Sequence, residues 1–196
     1  MKKIFLAIAF ISTGIIVNAQ AKFGAKAGVN FYKFGGEDGG DLPSQKMKPG
    51  FYLGGFAQLP LADAITIQPE LLFSNQGTLQ KASGGKVTWN LNYINIPVMV
   101  QYNTLSGFYA ETGPEVGLLM SAKQKMKMDG ESDTNDIKEY LKGVNFSWGL
   151  GIGYRLESGL GIGARYNLGL SNILDSDGKF TNSGFTAGVS FLLGSK

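Results

Sequence analysis

Eight stretches of apolar–polar alternation, connections that alternate short and long, and an apolar face free of charge on every stretch predict an all-β fold. The predicted architecture is an eight-stranded antiparallel up-and-down transmembrane β-barrel. Period-two alternation sends successive side chains to opposite faces of a strand. Closure follows from the solvent, because lipid offers no partner to an unpaired backbone group.

The first predicted strand is Lys22 to Tyr32, with Phe23, Ala25, Ala27, Val29 and Phe31 on one face and Lys22, Lys26 and Asn30 on the other. The second is Gly50 to Leu59, carrying Phe51, Leu53, Ala57 and Leu59 on its apolar face, with Phe56 out of phase. The third, Ala64 to Ser74, carries Ile65, Ile67, Leu71 and Phe73. The fourth, about Thr88 to Tyr102, keeps phase through Ile94, Ile96, Val98, Val100 and Tyr102. Its Trp89, Leu91 and Tyr93 fall in the opposite phase, which predicts a bulge or a strand projecting past the bilayer. The fifth is Gly107 to Met120, the sixth Gly143 to Glu157, the seventh Gly159 to Leu170 and the eighth Ser183 to Leu193. None of the eight apolar faces carries Asp, Glu, Lys or Arg. A charge facing lipid near the midplane costs on the order of 2–4 kcal/mol.

Pro60 to Asp63, Asn103 to Ser106 and Glu157 to Gly159 read as tight turns. Lys33 to Pro49, Asn75 to Val87, Ser121 to Lys142 and Ser171 to Asn182 read as long polar loops. An even strand number puts both termini on the short-turn, periplasmic side. A soluble barrel would turn the same apolar face inward. Two features favour lipid. The polar face is rich in glycine (Gly24, Gly28, Gly151, Gly153, Gly161, Gly163 and Gly188 among others), which relieves crowding in a narrow lumen. Aromatics of the apolar face gather at strand ends (Phe23, Phe31, Phe51, Phe73, Tyr102, Phe108, Phe185, Phe191), as interfacial girdles do.

The chain opens with Lys2 and Lys3, an apolar stretch from Ile4 to Val17, and Val17-Asn18-Ala19, the three parts of a cleavable export signal. Residues 1–19 are expected to be removed, leaving a barrel domain over 20–196. The stretch is short for a spanning helix, which needs about 20 apolar residues. Without Lys2 and Lys3 the chain has 16 basic and 15 acidic residues, too balanced for a nucleic-acid footprint. There is no cysteine, hence no disulfide and no lipidated N-terminal cysteine.

Pro69, Pro97 and Pro114 lie inside predicted strands, where proline usually marks a bulge or an edge. The motifs around them, Gln68-Pro69-Glu70-Leu71-Leu72-Phe73-Ser74, Tyr93-Ile94-Asn95-Ile96-Pro97-Val98 and Phe108-Tyr109-Ala110-Glu111-Thr112-Gly113-Pro114, resemble strand motifs of the PorT-like "porin family" of outer-membrane β-barrels. The resemblance spans the mature chain. It implies a barrel in the bacterial outer membrane. It also implies, through PorT, an accessory part in protein secretion, though no residue here carries that role.

Chemistry is poorly provided for. Histidine and cysteine are both missing, which removes the usual general base and the usual zinc and haem ligands. No cofactor, metal or catalytic residue is expected. Gly159-Leu160-Gly161-Ile162-Gly163 has its glycines on one strand face, not at a phosphate-cradling turn. Asp175-Ser176-Asp177-Gly178 and Asp129-Gly130-Glu131-Ser132-Asp133 lack the full ligand spacing of calcium loops. Two groups remain. Strand phase points Lys26, Glu70, Glu111, Glu115, Arg155 and Arg165 into the lumen, three acids against three bases. Buried charges must be paired, so Glu111 and Glu115 are expected to meet Arg155 and Arg165, and Glu70 to approach Lys26. Lys123, Lys125 and Lys127 are either solvated or a rim for lipopolysaccharide phosphates; the acidic residues that follow weigh against a purely anion-binding loop.

The expected function is a non-catalytic structural, adhesive or accessory barrel, monomeric, with outer-membrane lipids as partners and its long loops free to meet a surface partner. The alternatives are a narrow channel or transporter for small solutes, or an accessory component of protein secretion.

Overall fold

A computed structural model describes residues 21–39, 44–82, 84–128, 131–175 and 178–194. The expected export signal lies outside them. The described residues form β1 (Lys22–Gly35), β2 (Gln45–Ala62), β3 (Ile65–Gln76), β4 (Thr78–Ala82), β5 (Gly85–Asn103), β6 (Phe108–Met128), β7 (Glu131–Asp136), β8 (Val144–Arg155), β9 (Leu160–Gly169) and β10 (Thr181–Leu192), with one 3-10 turn at Lys138–Tyr140.

Eight of these make the ring. β1 pairs β2, and pairing continues antiparallel through β3, β5, β6, β8, β9 and β10 back to β1. The closing seam runs from Gly24 opposite Leu192 to Gly35 opposite Thr181. β4 continues β3 past Gly77 without a register shift against β5, and β7 folds back on the far end of β6.

The apolar face is outside. Phe23, Leu150 and Ile152 are 61%, 65% and 69% exposed, while Gln68, Glu70, Gln101 and Arg165 are buried in the lumen. That arrangement suits lipid and reverses the soluble alternative. At one end of the band Tyr166 packs on Phe185 at 4.7 Å and Phe51 on Phe73 at 5.8 Å; at the other Phe108 meets Tyr154 edge-on at 4.8 Å. The turns at the second end are tight: Gly107 and Gly159 adopt φ of 94° and 88°, open mainly to glycine, and donate back to Thr104 and Leu156.

Three expectations meet different outcomes. The proline strands are regular: the ladder is interrupted beside Pro69, Pro97 and Pro114 but resumes in the same register. Trp89, Leu91 and Tyr93 mark the second of the two alternatives, a strand projecting past the bilayer: β5 keeps its phase, Leu91 and Tyr93 point inward with Asn95 and Pro97, and the register shift falls on the partner, where β6 bulges at Met120. Finally, much of the expected long loops is strand, since β2, β5 and β6 run on beyond the apolar band and β4 and β7 pair with them.

If the outer face sits in lipid, Ile152→Lys should destabilise the barrel by about 2–4 kcal/mol in denaturant titrations in phosphatidylcholine vesicles, with little effect in Leu105→Lys at an exposed turn.

Candidate functional site: the barrel lumen

Eight strands leave an interior only wide enough for side chains. Which of them meet depends on where glycine makes room. Glu111 lies opposite Gly151, and Gly151 lies opposite Arg165. With no side chain between them, Arg165 crosses a whole strand to Glu111. Its Nε donates to Glu111 Oε1 at 2.7 Å, and its two terminal nitrogens donate to Glu70 at 2.8 and 3.1 Å. A Cβ on Gly151 would stand 2.8 Å from Glu111 Oε1. The same device holds the aromatics. Tyr109 lies over Gly153 and Gly163, Tyr52 over Gly28 and Gly188, and Phe56 over Gly24.

Lys26 Nζ adds a 3.0 Å bond to Glu70 Oε1. Gln68 donates to Glu70 at 2.7 Å and Gln101 to Glu111 at 2.8 Å. Two bases thus face two acids, with side chains between 0% and 14% exposed. Arginine suits the position because its planar fork engages two carboxylates at once.

Glu115 and Arg155 depart from the expected pairing. Glu115 sits one step higher on β6, beyond the reach of Arg165 bonding, and accepts instead from Asn95 at 2.9 Å and Ser147 at 3.1 Å. Arg155, at the periplasmic end of β8, forms no ion pair among the described residues; its guanidinium stacks 5.1 Å over the Tyr109 ring and lies 2.8 Å from the side-chain amide of Gln58. Register explains this: Arg155 lies opposite Gly161, four residues along β8 from Gly151, with the Tyr109–Gly153–Gly163 row between it and the Glu111 row.

From the periplasm upward, a vestibule of about 810 Å³ lined by the tight turns ends at Arg155. Above it come the four-charge cluster and a cavity of about 30 Å³ between Lys26, Glu111, Glu115, Arg165 and Asn167. A polar layer follows, with Asn30 bonded to Ser74, Asn167 to Tyr32 and Asn182 to Gln76. Sequence reasoning missed the top. Phe34, Leu91, Tyr93, Leu119 and Ala122 face Ile137, Leu141 and Ile173 from the extracellular segments in one apolar cluster. The only hint was the out-of-phase apolar residues of β5. Lys123, Lys125 and Lys127 lie apart from the lumen, exposed on the extramembrane part of β6.

A closed eight-stranded ring with an apolar exterior and a polar, charge-paired interior defines an outer-membrane β-barrel. The family model for the outer membrane protein beta-barrel domain matches residues 18–175, and the chain belongs to that family, in the bacterial outer membrane. No curated protein matches it. Among solved structures, Neisserial surface protein A is similar at a TM-score of 0.52 and 15% identity, over 87% of this chain and 97% of that one. Ail, the attachment invasion locus protein of Yersinia pestis, is similar at 0.47 and 12%, over 90% and 100%. OprG from Pseudomonas aeruginosa is similar at 0.38 and 13%, over 89% and 97%.

Arg165→Ala leaves Glu70 and Glu111 buried without their shared base and should cost about 3–5 kcal/mol in unfolding experiments. Arg155→Ala removes no ion pair and should cost about 1 kcal/mol. Gly151→Val should approach the Arg165 variant in effect by breaking the link to Glu111. Equal losses at Arg155 and Arg165 would contradict the geometry.

Proposed function

We propose that this chain is a non-catalytic outer-membrane barrel, exported as a precursor cleaved after Ala19, that acts through its extracellular strand extensions and not through a pore. Its role on this reading is structural, adhesive or accessory. The observation that carries it is the filling of the lumen from Arg155 to the apolar cluster beneath Ile137, Leu141 and Ile173. The cavity of about 30 Å³ has room for about two waters. A solute would have to part both the charge cluster and the apolar layer above it. The lack of histidine and cysteine in the chain speaks against catalysis.

The alternative is a narrow conduit for small solutes. The periplasmic vestibule and its Arg155 floor favour it, since a polar funnel on one side is half of a pathway. In planar bilayers the purified protein is expected to be silent, and the Arg155→Ala, Arg165→Ala double variant should stay silent where its heat-modifiable mobility shows it folded. Resolved unitary steps in the wild type, or in the folded variant, would move the assignment to a conduit. Uptake of small sugars by vesicles holding the wild-type protein gives the same decision without a variant.

A further inference from the structure

The barrel and its lumen leave one pattern unexplained, a field of lysines above the membrane. Beyond the apolar band, β4, β5, β6 and β7 form a continuous sheet, with the end of β2 along its edge. Residues directly opposite one another share a face. Lys81 is opposite Lys86, and Lys86 is opposite Lys127. The next row toward the membrane holds Lys46, Leu79, Thr88 and Lys125. The third sets Lys123 beside Asn90. Six lysines therefore lie on one face.

That face is the outward one. The phase of β5 is unbroken from Val98 down to Lys86, so Lys86 stands on the same side as the lipid-facing Val98 and Ile94. On β6, Lys123 comes three residues after Met120, the exposed apolar residue at the bulge. At about 2.5 Å of axial rise per residue in a tilted strand, Lys123 sits about 8 Å above Met120 and Lys127 about 10 Å higher. The lysines thus look sideways over the headgroup layer, which is about 5–8 Å deep per leaflet, and over whatever sugars rise from it.

The acids that follow in sequence do not cancel them. Glu131 is opposite Met128 and Asp133 opposite Met126, on the other face of the sheet; Asp136 alone of the β7 acids shares the lysine face, beside Lys123. Among the described residues none of the six ammonium groups is in an ion pair, whereas Lys179 elsewhere on the rim is bonded to Glu37 at 3.0 Å.

We propose that this lysine face is a lipid-binding surface that holds the phosphate groups of outer-leaflet glycolipid, of the lipopolysaccharide class, from the side. A compact ammonium with three donors fits a phosphate as a point charge. Six of them in three rows match a ligand carrying several phosphates on a sugar scaffold. Their sideways aim, continuous with the lipid-facing wall, favours a membrane component over a soluble polyanion. The inference depends on the outer-membrane placement and not on whether the lumen conducts.

The test uses the full-length mature protein refolded in phosphatidylcholine nanodiscs containing bis-phosphorylated lipid A, with bound lipid counted by native mass spectrometry. The Lys123→Gln, Lys125→Gln, Lys127→Gln variant is compared with Lys33→Gln, Lys138→Gln, Lys142→Gln, which removes equal charge elsewhere. Heat-modifiable mobility checks that both fold. Retention of lipid A should fall at least about tenfold in the first variant and less than about twofold in the second. Dephosphorylated lipid A should be retained no better by the wild type than by the first variant. Equal retention by the two variants would overturn the proposal. So would a soluble sulfated oligosaccharide binding with the same lysine dependence while lipid A does not.

Discussion

Every backbone N–H and C=O that this chain places in the bilayer must be satisfied within the sheet, and with eight strands only the pairing of β1 with β10 achieves it. An open edge would leave a row of unpaired groups in hydrocarbon, each worth several kcal/mol. The outward face is then obliged to be apolar, and the lumen to be narrow.

Narrowness governs the interior. Facing side chains on adjacent strands cannot all be large, and the chain answers with rows in which glycine alternates with a long polar or aromatic residue. Gly151 between Glu111 and Arg165 is the clearest case, because it turns a two-strand separation into a 2.7 Å bond. The charges there belong to a dry, crowded space, so neutrality is reached locally: Lys26 and Arg165 against Glu70 and Glu111. Glu115 and Arg155 lie outside that cluster and are met by neutral donors and by an aromatic face.

Above the membrane the same ladder serves a different end. β5 and β6 continue as strands, and the segments after β7 and β9 lay Ile137, Leu141 and Ile173 over the open mouth against Leu91 and Tyr93. The apolar contacts inside the mouth and the lysines outside it follow from one alternation. Odd-numbered residues of β5 turn in, even-numbered residues turn out, and the bulge at Met120 resets β6 so that Ala122 turns in beside Leu91 and Lys123 turns out beside Asn90.

Strand number, closure, the sidedness of each strand and the inward direction of Lys26, Glu70, Glu111, Glu115, Arg155 and Arg165 were legible in the sequence. All of these follow from a two-residue period, which is local. So were the periplasmic turns, whose chemistry is carried by a few adjacent residues. Pairing within the lumen was not legible, because it depends on register between strands and on which glycines separate them. Ion pairs were therefore expected for Glu115 and Arg155 from strand adjacency alone, although a four-residue step along a strand takes each out of the cluster. Nor could the sequence order of Lys123 to Asp136 show that a hairpin would carry most of its acids and its bases to opposite faces. Alternation along a strand is decided by bond geometry, but the meeting of two strands is decided by the closed sheet as a whole, and only the tertiary structure contains it.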